Sequence, residues 1–343
     1  MDKLKFSKYE WLVVVQNVNT GSVYNITRMV ARIEQTSEWM TGTPGAVEME
    51  LVITPDNNIA WLTQARTGLD EKHGHLVQFS VNGRMQFVGY ITNVAQNDKH
   101  IVRVMARDQI FYLKSRDILY TENMTASEIF TDICDRKSRM AHRVDAPASK
   151  VLDPYNYGTD YTMFAAIKLA IDKANIVEEK QYLIRDEAGV LVFTELSELL
   201  TGLRLGDNEY VFAYEYESSI DDGVYNHVRA FRANEELGMF DTWAVKDGDT
   251  IDRWGQLNLL FEVDKCMTDA EIIALTEKKL EFYNSPKETL TISALGHLDI
   301  HAGNGIRLNI GKLELGGNFW ITHCKHVFRN NYHTMDLELF YVA

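Results

Sequence analysis

Cysteine, proline and long apolar runs are all scarce in this chain of 343 residues. Its three cysteines, Cys134, Cys266 and Cys324, are odd in number, far apart and without a CxxC pair. That excludes a disulfide framework or a zinc ribbon and fits folding in a reducing compartment. Only five prolines in a chain that is 45% hydrophobic exclude a disordered, linker-like protein and mark an ordered globular one. No segment approaches the roughly 20 apolar residues that a membrane span needs. Lys3, Lys5 and Lys8 are interleaved with acidic and aromatic residues, and the longest apolar run nearby is Trp11 to Val15. Neither a signal peptide nor membrane insertion is therefore expected. A basic footprint is missing too. The net charge is −14; residues 1–108 carry 11 basic and 11 acidic side chains, whereas 234–285 carries 5 and 12. Specific nucleic-acid binding through phosphates is not expected, and the acidity serves solubility.

What is present is period-two alternation, the mark of half-buried antiparallel strands. It is clearest near the C-terminus: Leu290 and Ile292; Ile306, Leu308 and Ile310; Leu313 and Leu315; Met335, Leu337 and Leu339. Gly311, Gly316-Gly317 and Asn330-Asn331 punctuate these runs as turns. The first hundred residues write the same pattern. Val47, Met49, Leu51 and Ile53 answer Leu290 and Ile292, and Val77, Phe79 and Val81 answer Ile306 to Ile310. Met85 and Phe87 through Ile91-Thr92 answer Leu313 to Ile321-Thr322, and Val102 and Val104 answer Leu337 and Leu339. Ahead of the copies lie Gly21 to Arg28 and Gly223 to Arg229, which share the letters Val, Tyr and Asn. A duplication follows.

In chain order, Tyr9 to Val18 and Ser22 to Ile33 read as strands about a turn at Asn19-Thr20-Gly21, and Asn82-Gly83 is the clearest hairpin turn. Pro55 to Gly74 is a loop with a helical turn expected near Ile59 to Leu62. Thr125-Ala126-Ser127-Glu128 is a capping box before Ile129, Phe130, Ile133 and Cys134, and a second helix spans Thr162 to Glu178 with Phe164, Ile167, Ile171 and Ala174 on one face. Gln181 to Glu195 alternates as a hairpin about Glu187-Ala188-Gly189. Strands near Thr242 to Val245 and Leu257 to Val263 precede a helix announced by Thr268-Asp269-Ala270-Glu271 and ended before Pro286. The length exceeds a single core. The expected fold is mainly β with α+β insertions: two similar antiparallel β-barrel domains interrupted by mixed domains. The divisions are a first barrel at 1–108, an α+β domain at 109–208, a second barrel from 209–233 plus 286–343, and an α+β insertion at 234–285.

Chemistry is sparse. The strongest constellation is His297, His301, His323, His326 and His333 with Cys324. His323 and His326 fall on opposite faces of a strand and are poorly placed to share an ion; His297 and His301 lie in a loop and could approach a third ligand, but hydrogen-bonded or solvated histidines explain the group better than a metal site. Glu48 and Glu50 share a strand face and could act as acid and base, but between Val47, Met49 and Leu51 they read as its wet side. No GxSxG, HExxH, Walker loop or GxGxxG occurs in the required context. Two classes of function remain: a structural assembly protein, or a hydrolase or carbohydrate-binding protein of the cell envelope. Trp11, Trp39, Trp61, Trp243, Trp254 and Trp320 are scattered, which favours the first.

Along nearly its whole length the chain resembles the XkdQ/YqbQ-type baseplate hub proteins of contractile phage tails and phage-tail-like bacteriocins, distant relatives of the trimeric hub of T-even phages. The carriers, in order, are Tyr24-Asn25-Ile26-Thr27, Val47 to Leu51, Gly89-Tyr90-Ile91, Thr125 to Phe130 with Ile133-Cys134, Tyr225-Asn226, Arg253-Trp254-Gly255 and His333 to Leu339. Trp39 to Pro44 is longer than the family pattern. The resemblance implies a virion structural protein of the tail baseplate or bacteriocin particle, assembled in the bacterial host cytoplasm, that joins a sixfold tail tube to a threefold central spike. It implies a homotrimer in the assembled tail whose partners are the tail tube protein and the central spike protein, with tape-measure and baseplate wedge proteins as further candidates. It assigns no catalytic residue, no cofactor and no metal.

Overall fold

The computed structural model describes residues 9–52, 72–97, 101–136, 141–158, 161–206, 210–221, 223–234, 238–263, 267–311, 315–329 and 332–341. The turn expected near Ile59 to Leu62, together with Trp61, Cys266, Leu313 and Asn330-Asn331, lies outside the described residues. The chain is mainly β and forms two units, Met1–Tyr214 with Thr291–Ala343, and Glu215–Leu290.

The first unit opens with β1 (Trp11–Gln16), β2 (Val23–Asn25), β3 (Val30–Glu38), β4 (Ala46–Val52), β5 (Leu76–Val81), β6 (Arg84–Gln96) and β7 (Ile101–Arg107). They lie side by side in the order β3-β4-β7-β6-β5-β1-β2. Alternation puts Val47, Met49 and Leu51, Val77, Phe79 and Val81, and Val102, Val104 and Ala106 on one face. These share a single core with Val13 and Val15 of β1 and Ile33 of β3, from opposite ends of the strand run, so the sheet curls around that core. Each such side chain contributes about 1.5–3 kcal/mol on full burial. Asn82 and Gly83 both take positive φ, 51° and 76°, the tight hairpin turn read from the sequence. The expected strand from Ser22 to Ile33 is broken. The Val13 amide donates to Thr27 Oγ1 at 2.9 Å and the Ile26 amide to Val13 O at 3.0 Å, so the chain turns at Thr27–Met29 and drops Ile26 and Met29 into the core.

The α+β insertion follows as α1 (Ile110–Leu113), β8 (Tyr120–Thr121), α2 (Ala126–Asp135), β9 (Ala141–Val144), β10 (Tyr155–Asn156), α3 (Met163–Glu178), β11 (Tyr182–Glu187) and β12 (Val190–Glu195). Thr125 and Glu128 close the capping box, and Thr162 caps α3. Ile129, Phe130 and Ile133 of α2 and Ile167, Ala170 and Ile171 of α3 pack with Tyr182, Ile184 and Phe193 from the sheet β11-β12-β9 in a core of their own. β13 (Leu200–Gly206) and β14 (Val211–Ser219) come next.

In the second unit β15 (His227–Asn234) lies between β16 (Met239–Lys246), antiparallel, and β17 (Asn258–Glu262), parallel; α4 (Gly248–Trp254) and α5 (Asp269–Tyr283) complete it. Val228 is buried in this sheet, and Ala230 joins Ile272 and Val263 in its core. Thr268 and Glu271 cap α5 as a box. The helix α4 was not expected; its signal is Asp247, whose carboxylate accepts the Asp249 and Thr250 amides.

The chain returns to the first unit as β18 (Lys287–Leu295), β19 (Gly305–Ile310), β20 (Leu315–Arg329) and β21 (Tyr332–Tyr341). The order β18-β21-β20-β19 reproduces β4-β7-β6-β5 strand for strand. The likeness reaches individual hydrogen bonds. Both long strands slip register at the same place, between Ile91 and Asn93 and between Ile321 and His323. Gly74 N donates to Ile91 O and Ile91 N to His75 O; Gly303 N donates to Ile321 O and Ile321 N to Asn304 O. Two details differ from expectation. Gly316 and Gly317 pair with Asn309 and Leu308 within β20 instead of forming a turn. The neighbour of β18, in the position that β3 holds beside β4, is β14; β15, which carries the end of the Gly223 to Arg229 segment, belongs to the separate sheet. The two copies meet where His323–Arg329 of β20 pairs antiparallel with Arg32–Glu38 of β3. Phe328, on β20, enters the core of the first copy, with ring centroids 5.1 Å from Phe79 and 6.4 Å from Trp11. Phe328→Ala should lower unfolding free energy by about 3–5 kcal/mol; a loss in urea titration no larger than a surface substitution gives would show that the two copies do not share this core.

Candidate functional site

The histidines expected as a loose group are brought together in part. On β20, Cys324 and His326 point inward at i and i+2, and His333 reaches them from β21. His326 Nε2 lies 2.7 Å from Ile300 O and its Nδ1 lies 2.9 Å from His333 Nε2. The carbonyl can only accept, so His326 donates from Nε2, its Nδ1 accepts, and His333 donates from Nε2. Cys324 Sγ sits 3.2 Å from the same His326 Nε2, and His333 Nδ1 is buried without a partner. His333 stacks on Phe328 at 4.0 Å and lies against Gly296, where a Cβ would fall 2.2 Å from the ring. Gly296 is thus required for close approach. His301 lies edge-on to His326 at 5.7 Å, while His323 and His297 point to Glu338 and Asp299.

Burial keeps this group neutral. Desolvation pulls His326 down to about 4, opposed by its bond to Ile300 O. Desolvation and the neighbouring His326 pull His301 to about 3 and His333 to about 2. Burial also raises the Cys324 thiol, so it is no nucleophile. Among the described residues no group of three or more His, Cys, Asp or Glu side chains could hold a metal ion. What the arrangement can do chemically is fix His326 and His333 each in one tautomer beneath the junction of β3 and β20.

A second cluster, not singled out in the sequence, lines a cavity of about 240 Å³ within the first unit. Its wall is formed by Gln35–Ser37 of β3, the start of β6, Asp108, the β11–β12 turn and the segment 298–304. Asp108 Oδ2 accepts the Gly45 amide at 2.8 Å and Oδ1 the Ile110 amide at 3.0 Å. Asp186 Oδ1 accepts the Gly189 amide at 2.7 Å and Oδ2 the Gln109 amide at 3.3 Å. Burial drives both carboxyls upward, and each Asp108 charge is further opposed by Asp186. Arg84 pairs with Asp299 and Arg185 with Glu187 at the rim. The only sequence signal was Asp108 closing β7 and Asp186 opening the hairpin turn, and such placements are usual for turn residues.

The remaining residues weighed in the sequence lie elsewhere. Glu50 faces Arg103 at 3.3 Å across β4 and β7, and Glu48 is likewise half-exposed. Trp39 donates from Nε1 to Ile321 O at 2.9 Å, Trp11 packs on Phe328, and Trp243 meets Arg232.

A family model described as YQBQ-like matches residues 35–340. The uncharacterized protein YqbQ of Bacillus subtilis (strain 168) is 23% identical over 277 residues, covering 78% of this chain and 81% of that protein. Among solved structures, the 43 kDa tail protein of prophage MuSo2 from Shewanella oneidensis superposes with a TM-score of 0.69 at 14% identity, covering 96% of this chain and 98% of that one. A tail protein from Neisseria meningitidis MC58 gives 0.67 at 15% identity, covering 96% of both chains. At these identities the likeness is one of fold.

The neutral histidine cluster sets a pH dependence. The folded pKa values lie below the ordinary value of about 6.5, so the stability is present above about pH 6.5 and is lost as pH falls toward about 4. Each titrating histidine then costs about 1.4 kcal/mol per pH unit. Urea midpoints should fall steadily across that window, and His333→Phe, which keeps the stack on Phe328, should flatten the slope. A midpoint constant down to pH 4 would contradict the neutral cluster.

Proposed function

This chain belongs to the YQBQ-like family, and on that premise we propose that it is a non-enzymatic structural protein of a contractile phage tail or phage-tail-like bacteriocin. In this reading it is the baseplate hub, a homotrimer that joins a sixfold tail tube to a threefold central spike. The shared fold of the two tail proteins supports the setting. The observation that carries the hub reading is the seam between β20 and β3.

That seam joins the second copy of the repeat to the first within one chain. The repeat puts β14 in the place of β3, and the C-terminal half of β6 in the place of the C-terminal half of β20. Among the described residues, β14 has no strand on its outer side, and Asn93–Gln96 of β6 has none on the side where β20 meets β3. Unpaired edges of this kind are a template for another chain. β14 is exposed at almost every position, with Phe212 and Tyr214 presenting large apolar side chains to solvent. A second copy of this chain that repeats the internal seam lays its β14 against Asn93–Gln96 of the first. The contact is heterologous, and three chains close it into a ring of six repeats, pseudo-sixfold where the repeats face the tube. The insertions at 109–208 and 234–285 differ from one another and reduce that symmetry to three on the spike side. A neutral or acidic lumen lets DNA or a tape measure pass, because a basic lining would retain phosphates.

The test is a reconstruction of an assembled tail that contains this protein. Three copies are expected, with the two repeats alternating around the ring; six copies, or a ring in which they do not alternate, would refute the hub. Phe212→Asp with Tyr214→Asp should leave the isolated chain folded and remove it from assembled particles. The purified chain should neither retain duplex DNA at roughly physiological salt nor release soluble fragments from cell wall.

A further inference from the structure

The three-stranded sheet of the second unit is covered on one side. Ala230 of β15 is the register partner of Trp243 on β16 and of Phe261 on β17, and α5 packs against these three through Ile272 and Leu275. The neighbouring residues along each strand point the other way. There Arg229 stands between Ala244 and Leu260, and Phe231 between Thr242 and Glu262. Phe240, opposite Ala233, ends the same face. This side is open to solvent: Phe240 is 63% exposed and Leu260 60%, and Arg229, Thr242, Ala244 and Glu262 are exposed with them. An antiparallel sheet can leave a polar face to water. This face is half apolar instead, with Phe231 and Phe240 in edge-to-face contact at 5.4 Å, and such a composition suits a face that takes a second layer.

Its cations are unpaired. Arg229 and Lys246 are diagonal neighbours on adjacent strands, because Arg229 is opposite Ala244 and His227 opposite Lys246. Neither makes an ion pair among the described residues, with Glu262 of the same face or with any other carboxylate, whereas Arg232 on the covered side faces Asp241 and Asp269. Two like charges side by side attract a carboxylate. The stretch 234–285 carries 12 acidic against 5 basic residues, so an extended polyanion such as nucleic acid or an anionic bilayer meets repulsion across the rest of the unit. A few carboxylates held over the pair do not, because charges beyond about 8 Å are screened at physiological salt. The extent of the face limits what covers it. Three strands of five to eight residues, about 4.8 Å apart and rising about 3.4 Å per residue, present on the order of 300 Å². That is under half of the roughly 800 Å² that each side of a standard interface buries, so two copies pairing through this face alone fall short. A single helix, about 10–12 Å wide, fits the strip, as α5 does on the other side.

We propose that the open face of the β15-β16-β17 sheet docks one amphipathic helix of a different tail protein, its apolar stripe on Phe231, Phe240 and Leu260 and its carboxylates over Arg229 and Lys246. The inference rests on the tail role for its setting. The docked helix supplies on this side the layer that α5 supplies on the other. Burial of the exposed apolar side chains holds it, and the cation pair selects and orients it. Glu262, two residues beyond Leu260 on β17, repels carboxylates at the far end of the face, so the helix lies in one direction only.

Photo-cross-linking in assembled tails tests it, with the full chain carrying p-benzoylphenylalanine in place of Leu260. Irradiation should join position 260 to one segment of a different tail protein, and mass spectrometry should find apolar residues at helical spacing with acidic neighbours in that segment. Arg229→Glu with Lys246→Glu, both exposed, should leave the urea midpoint of the chain in place and cut the yield of that product by roughly tenfold or more. Should the substitution at Leu260 keep the chain out of tails, the same photoreactive residue at Thr242 reports from the same face. No product in tails that contain the chain, a product with a second copy of it, a joined segment without carboxylates, or a yield unchanged by the charge reversal would each overturn the inference and leave the hub reading standing. Tails that lack the wild-type chain altogether would overturn both.

Discussion

The two repeats of the first unit are joined by one strand pair, β20 against β3. Trp39 at its end bonds to a carbonyl 282 residues away in sequence. Closing so long a loop costs entropy that no local contact repays, although the cost grows only logarithmically with length. What repays it is burial. Phe328 fills a core otherwise built from residues before position 107, and the partner strand in turn covers Cys324 and His326. The α+β insertion and the second unit are both inserted between the segments that this pair joins. The first repeat therefore becomes a closed body only after the last strands are made, which places this fold among slow, high-contact-order topologies.

Two sets of ionisable groups sit on the same framework, and desolvation shifts their pKa values in opposite directions. The histidines under β20 are kept neutral by desolvation and by one another. Burial raises the pKa of the carboxyls beside the cavity, with Asp186 adding to the shift of Asp108 and Glu187 to that of Asp186. His301 and Asp186 line the same cavity, so the two sets are close to each other. Buried hydrogen-bonded groups of this kind help to specify a single packing arrangement.

Much of this was legible in the sequence because it is local or periodic. The four-strand repeat, the Asn82-Gly83 turn and the capping boxes at Thr125 and Thr268 are written in spacing, and the structure places each as read. The seam was not legible, since an edge that pairs with a distant strand carries no signal beyond ordinary alternation. The Gly223 to Arg229 segment, matched to Gly21 to Arg28 on a shared Val-Tyr-Asn, leads into β15 of the separate sheet, whereas the place beside β18 that β3 holds beside β4 is taken by β14. Cys324 and His326 could have been placed on one face from their i, i+2 spacing, but their junction with His333 required the pairing of β20 with β21. Asp108 is 63 residues from Gly45 and Asp186 is 77 from Gln109, and both look like ordinary turn residues until the hairpin docks.

The central claim is that both repeats form one cooperative body closed by β3 and β20. Native-state hydrogen exchange on the isolated chain tests it most directly, because it assigns an opening free energy to each amide. The account predicts that those amides of Arg32–Glu38 on β3 and His323–Arg329 on β20 that hydrogen-bond across the seam open only with the global unfolding of the first unit, at the same free energy as core amides of β5 and β7. Seam amides that exchange at markedly lower free energy while β5 and β7 stay protected would mean two independent bodies in contact, and would contradict it.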